Sequence, residues 1–290
     1  MPETPFVDVH QHLWPEAFIA ELVRRAEPPC LHGSTLELVE GSYEIDLGAH
    51  ELGVRLDALD RDGVDIAIVS LQPTLGLWAL PDDERERLVT VWEEGVLEIV
   101  AKAAGRLAPL AAGPARAGFV GATVAAAALL DLDALTPTVS SLERDGGFLF
   151  VHPGATQRRP GAPAWWPALV DYPAQMQAAY LEWLHRGQER WPDLKVVFAI
   201  LAGGGPVQLE RLASRGVDVR SLLHSNVFFD TASYGRRAVE LCIETFGVEQ
   251  LVYGSDAPVV DTAAGLRALK AFGESVESLI TNDNPNGLLP

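Results

Sequence analysis

A closed (β/α)8 barrel is the fold that this sequence of 290 residues predicts. Three observations lead there. Short apolar runs rich in β-branched and aromatic residues alternate with helical patterns almost from end to end, as parallel strands joined by crossover helices do. Eight such runs can be read from the sequence, and a barrel of eight βα units commonly takes about 250 residues. The turn after the first run, QHLWPE, contains no glycine, whereas a doubly wound open sheet would usually carry a glycine-rich phosphate loop there. Residues 1–290 therefore read as a single barrel domain.

The first strand is expected over residues 6–12. An insertion over 27–49 follows, in which STLELVE and SYEIDL alternate apolar and polar residues around Gly41, and this pattern predicts a hairpin. The second strand is expected over 66–71. A helix over 82–103 opens on Asp82, Asp83 and Glu84, where negative charge suits the N-terminal dipole. Strands over 107–112 and 120–124 come next, although alanine-rich 120–130 also suits a helix. The fifth strand is expected over 148–152, followed by a proline-rich, lid-like loop over 154–172. A helix over 173–190 is closed by Trp191 and Pro192. The last three strands are expected over 195–201, 226–231 and 251–255.

Composition narrows the function. Twenty-two Lys and Arg face 40 Asp and Glu, a formal charge of −18, so the surface field repels phosphate backbones and anionic lipid. Neither nucleic acid nor a membrane is expected as a partner; a small molecule is, and the reading allows a homodimer. The two cysteines, Cys30 and Cys242, lie far apart, which excludes a thiolate zinc site and a disulfide framework. The N-terminus has no basic segment ahead of an apolar run, and no apolar stretch reaches about 18 residues. A cytoplasmic enzyme is the expectation.

The chemistry is expected at the C-terminal ends of the strands, where barrels of this kind place their sites. His10 and His12 are one residue apart at the end of the first strand, so the period of two points both imidazoles to one face. His152 ends the fifth strand in FLFVHPG, and Asp256 ends the eighth in YGSDAP. Three imidazoles and a carboxylate at strand ends suit a divalent cation, with zinc the expected ion. Asp8, two residues before His10, reads as a buried hydrogen-bonding partner. His32 and His50 flank the insertion and read as surface residues, with His32 able to fold over the mouth; His224 precedes a strand, and His185 lies on an outer helix. Around the mouth, Trp14 could wall an apolar pocket beside Trp165 and Trp166. Asp230, Ser233 and Tyr234 follow the seventh strand, where Asp230 reads equally as a substrate contact or a helix cap. Arg158 and Arg159 form a paired charge in the long loop that could hold a substrate carboxylate.

These motifs together resemble the amidohydrolase superfamily, in the branch that includes aminocarboxymuconate semialdehyde decarboxylase and other nonoxidative decarboxylases. VDVHQH, FLFVHPG, WPDLKVVFAILAGGGP and YGSDAP carry the resemblance over nearly the whole length. It implies that His10, His12, His152 and Asp256 are metal ligands and that Asp256 also handles the proton of an activated water. One departure stands out. The branch carries a catalytic histidine where this chain has Ile200, and isoleucine can neither move a proton nor donate a hydrogen bond. The fourth strand segment, VGATVAAAALL, has no lysine for a carbamate bridge, so a single metal is expected. The leading expectation is a mononuclear metal-dependent hydrolase of a small organic substrate, with Asp256 catalytic and Ile200 an apolar wall. The alternatives are a nonoxidative decarboxylase of an aromatic or enoic acid, and a ligand-binding barrel without turnover.

Overall fold

The computed structural model describes residues 4–290. Eight parallel strands run in the order β1 (Val7–His12), β5 (Ile66–Ser70), β6 (Leu107–Ala111), β7 (Gly121–Ala125), β8 (Phe148–His152), β9 (Val196–Phe198), β10 (Val227–Asp230) and β11 (Leu251–Val252). Three further strands, β2 (Cys30–His32), β3 (Thr35–Glu37) and β4 (Ser42–Glu44), form a separate antiparallel sheet between β1 and β5. The barrel closes where the segment after β11 meets β1. Val9 N donates to Tyr253 O at 2.9 Å, Asp256 N to His10 O at 2.8 Å, and His12 N to Ala257 O at 2.8 Å. Each strand of the predicted eight is present, and helices such as Asp82–Lys102 and Leu132–Asp145 occupy the crossovers. No helix among the described residues is long and apolar enough to cross a membrane.

Three details depart from the sequence reading. The insertion is a three-stranded sheet, because Cys30–His32 pairs with the predicted hairpin through Leu31 opposite Leu36. The alanine-rich segment is both strand and helical turn, with β7 leading directly into a 3-10 turn over Ala126–Leu130. The sixth barrel strand stops at Phe198, three residues short of expectation, since the chain then enters a left-handed turn.

That turn is costly for its sequence. Ile200, Leu201, Ala202, Gly203 and Gly204 all have positive φ, between 47° and 86°, a region in which a Cβ crowds the following carbonyl and a β-branched residue fits worst. Tertiary contacts hold it. Ile200 N donates to Asp230 Oδ1 at 2.9 Å, and Gln177 Nε2 donates to Gly203 O at 2.6 Å. At Gly203 a Cβ would lie 2.3 Å from Pro173 O, so glycine supplies both the left-handed φ and the close approach to the neighbouring helix, Tyr172–Glu182.

Buried apolar side chains form two packed groups. The larger joins Phe148, Phe150, Val197 and Phe229 of the strands to Met176, Tyr180 and Trp183 of the helical layer. The smaller packs Val69 and Leu71 against Phe18, Leu22, Leu88 and Trp92. Each such side chain contributes roughly 1.5–3 kcal/mol when fully buried, and together they hold the strand ends rigid. Gly203→Ala is expected to lower stability by about 2 kcal/mol or more through φ strain and the clash with Pro173. Urea unfolding of the two proteins side by side measures it, and an unchanged midpoint contradicts the account of the turn.

Candidate active site

The metal-ligating types converge as the strand ends dictate. His10 and His12 leave β1 toward the same space, even though the ladder with β5 slips register between Asp8 and Gln11. His152 ends β8, and Asp256 follows β11 in a left-handed conformation, φ 61°. One ligand atom from each of the four lies within 4.8 Å of all the others. Gly254 permits the approach, since a Cβ there would stand 2.8 Å from the His10 Cβ and 3.0 Å from the Asp230 Cγ.

Hydrogen bonds fix which ring nitrogens face inward. His10 Nδ1 donates to Asp230 Oδ2 at 2.7 Å, His12 Nδ1 to Ser70 O at 3.2 Å, and His152 Nδ1 to Pro153 O at 2.8 Å. Each Nε2 is thereby left for the cluster. The Nε2 atoms of His10 and His12 stand only 3.1 Å apart, and Asp256 Oδ1 lies 3.4 and 3.2 Å from them. Lone pairs and a carboxylate pressed together out of water need a positive charge between them. The donor set therefore fits one divalent cation.

Titration behaviour reflects the same field. Burial works against a charged His10, but the carboxylates of Asp230, Asp256 and Asp8 outweigh it and push its pKa up to about 9. Burial holds His12 below its ordinary value and His152 well below, with the neighbouring imidazoles adding to the effect. Burial opposes ionisation of Asp256, yet His10, His12 and His152 keep its carboxyl below the usual range. The site thus attracts positive charge, which a proton on His10 or a metal ion can supply. Asp8 lies beneath, fully buried. It accepts from His10 N, Gln11 Nε2 and Ser255 N, while Arg55 ties Gln11 Oε1 to the carbonyls of His12 and Ala49.

The cluster opens into a cavity of about 680 Å³. Trp14, Ile200 and Tyr234 line it, as the sequence reading expected, together with Leu36, Leu75 and Val259. Trp165 and Trp166 stay outside the lining, and two further expectations fail. Asp230 does not reach the cavity: it is fully buried, with Oδ2 on His10 and Oδ1 shared between Ile200 N and Ala232 N. It neither lines the cavity nor caps the helix that begins after Gly235; it orients His10. Arg158 and Arg159 are exposed and outside the cavity lining. The loop turns Pro153, Ala164 and Ala168 inward, and Arg159 instead stacks its guanidinium 4.5 Å above the Trp166 ring. Among the described residues, no Lys or Arg lines the cavity.

His50 and Glu40 are the residues that sequence reasoning missed. His50 is buried, not a surface residue, and stacks on Trp14 with ring centroids 4.8 Å apart. Glu40, between β3 and β4, is buried in the cavity wall. It accepts from Thr156 N at 3.0 Å, Thr156 Oγ1 at 3.1 Å, the Tyr43 hydroxyl at 3.2 Å, and the Tyr172 hydroxyl. Burial and the Glu40 charge push Tyr43 up to about 12 and Tyr172 higher still, so both stay neutral donors. This carboxylate latches the inserted sheet onto the loop after β8. The only signal available beforehand was the position of the insertion after the first strand. His32 stays exposed and outside the cavity lining.

The sequence profile of the amidohydrolase family matches residues 7–285. The chain belongs to the amidohydrolase family. Among curated members of known function, this amidohydrolase is 24% identical over 286 residues to 2-amino-3-carboxymuconate-6-semialdehyde decarboxylase of Dictyostelium discoideum, covering 85% of this chain and 79% of the relative. Among solved structures it is similar to Metarhizium anisopliae IDCase, with a TM-score of 0.80, 18% identity, and coverage of 99% of this chain and 97% of that one. It is also similar to the 5-carboxyvanillate decarboxylase of Novosphingobium aromaticivorans, solved with manganese and 4-hydroxy-3-methoxy-5-nitrobenzoic acid. There the TM-score is 0.73, the identity 17%, and the coverage 98% and 96%. These structural likenesses establish the barrel fold of the amidohydrolase.

Reconstituted protein is expected to hold about one divalent ion per chain by elemental analysis, and the double variant His10→Ala, His12→Ala to hold none. Asp230→Asn is expected to weaken the metal about 10- to 100-fold in chelator competition, because the oriented His10 ring loses its ionised partner. Undiminished stoichiometry in the double variant rules the site out.

Proposed function

We propose that this amidohydrolase-family chain is a nonoxidative decarboxylase that uses one metal ion, with His10, His12, His152 and Asp256 as its ligands. The observation that carries the reading is the four-residue cluster opening into a largely apolar cavity, in a chain whose curated relative and structural neighbour are named decarboxylases. This reading takes the place of hydrolysis as the leading one.

A metal ion bound there would act as a Lewis acid, polarising a substrate oxygen. The chain's own residues then do the rest. Asp230 and the carbonyls of Ser70 and Pro153 keep the imidazole lone pairs aimed inward. Trp14, Leu36, Leu75 and Ile200 wall the cavity with apolar surface, which favours conversion of a charged carboxylate to neutral carbon dioxide. As the carbon–carbon bond breaks, its electron pair stays on the substrate carbon, and one proton must be added there. Asp256 would take that proton from solvent water, the hydroxide returning to solvent, and pass it to the carbon. Its side chain is 17% exposed, and Oδ2 has no protein partner among the described residues. Zinc and manganese both suit three imidazoles and a carboxylate.

One observation favours hydrolysis instead: among the described residues no Lys or Arg lines the cavity to hold a substrate carboxylate. In that reading Asp256 accepts a proton from the attacking water.

The test is product analysis with zinc- and manganese-loaded protein on a panel of aromatic and enoic acids, 5-carboxyvanillate among them. Carbon dioxide in stoichiometric yield supports the lyase. A new carboxylate with an alcohol or amine supports the hydrolase, and stabilisation by ligand without turnover supports neither. Ile200→His is expected to raise carbon dioxide release about 10²-fold without loss of stability, since histidine tolerates the left-handed φ at this position better than isoleucine. No gain in release, with hydrolysis reduced, counts against the decarboxylase reading.

A further inference from the structure

The cavity wall holds a hydrogen-bond donor that the metal cluster does not use. His50 ends a 3-10 turn over Leu47–His50, downstream of the inserted sheet, and lines the same cavity as His10, His12 and His152. Its Nδ1 accepts a hydrogen bond from Trp14 N at 3.1 Å. A nitrogen that accepts from an N–H carries no proton, so the ring is neutral and its proton sits on Nε2. Parallel stacking on Trp14, with 4° between the planes, fixes the ring's orientation. Trp14 is held in turn by its Nε1 donating to Gln72 Oε1 at 2.6 Å. Among the described residues the His50 Nε2–H has no protein acceptor, and it is not among the sealed, unpartnered polar atoms, which leaves it accessible on a residue that lines the cavity.

We infer that His50 Nε2–H is a substrate-binding donor that takes an oxygen of the substrate, a carboxylate or carbonyl oxygen on an otherwise apolar molecule. Three features of the cavity favour that ligand class. Among the described residues no Lys or Arg lines it, so His50 is a rare strong donor in the wall. Its carboxylates, Glu40, Glu44, Asp46 and Asp256, leave a second anionic group on the ligand without a partner. Much of the remaining wall, including Trp14, Leu36 and Leu75, is apolar. Burial, with Arg55 and His12 nearby, pushes the His50 pKa down to about 3, in keeping with a neutral ring. A neutral imidazole N–H polarises an oxygen without transferring its proton. It therefore supplies, from the turn just after the inserted sheet, a hydrogen bond that Ile200 cannot give. The inference rests on reading this cavity as the substrate site.

The experiment uses full-length, zinc-loaded protein and benzoate as the probe. Nitrogen NMR of labelled histidine is expected to show His50 protonated at Nε2 and not at Nδ1 near pH 7. Added benzoate is expected to move the Nε2–H proton signal downfield. His50→Phe keeps a flat ring over Trp14 but has no donor, and is expected to weaken benzoate binding about tenfold at unchanged zinc content. His50→Gln, which restores an N–H, is expected to recover most of the loss. Protonation at Nδ1 or a charged ring, an Nε2–H signal that ignores bound benzoate, equal affinity in His50→Phe, or no benzoate binding by the wild type each overturns the inference. The NMR results stand on the wild type alone if a variant fails to fold. Benzoate binding that depends on His50, without carbon dioxide release from any acid, leaves the inference intact and removes the decarboxylase instead.

Discussion

Three imidazole nitrogens and a carboxylate oxygen crowd into a buried space, each within 4.8 Å of all the others. Such a group is stable only around a positive charge, and the surrounding structure is arranged to keep one there. Asp230, buried without exposure, shares its two oxygens among His10, Ile200 N and Ala232 N. A single carboxylate thus aims a ligand of the cluster, anchors the turn after β9, and fixes the chain leaving β10. Asp8 performs a similar task one layer deeper, joining β1 to the segment that closes the barrel through Ser255 N.

The strained turn follows from this arrangement. Five successive residues with positive φ cost free energy that no local preference of Ile200, Leu201 or Ala202 offsets. The bonds to Asp230 and Gln177, with the packing of Gly203 on Pro173, hold it in place. Its effect is to present the Ile200 side chain to the cavity from a position where a longer strand would have carried it elsewhere. An apolar residue there changes which proton transfers the site can support, and shifts the polar work to groups on other elements.

The inserted sheet supplies those groups. Glu40 binds the sheet to the loop after β8 through Thr156 and to the following helix through Tyr172. His50 enters just after the sheet and stacks on Trp14, itself two residues beyond His12. The wall facing the metal cluster is therefore built from a segment outside the eightfold repeat, as expected of a fold whose specificity resides in its connections.

The eight strands, the pairing of His10 with His12, and the arrival of His152 and Asp256 at the same end of the barrel were all legible in the amino-acid order. Each follows from a rule that acts within a few residues: the alternation of a strand, or the position of a residue where a strand stops. The same order also marked Ile200 as the departure from the family's pattern. The folded chain alone reveals that Asp230 turns inward to His10, that Arg158 and Arg159 turn outward with Arg159 over Trp166, and that His50 and Glu40 are buried in the cavity wall. Apart from Arg159 over Trp166 in its own loop, those outcomes depend on contacts between segments distant in sequence, 220 residues for Asp230 with His10 and 132 for Tyr172 with Glu40. No local pattern records such contacts, because each is selected by the packing of the whole chain and not by the preferences of its own segment.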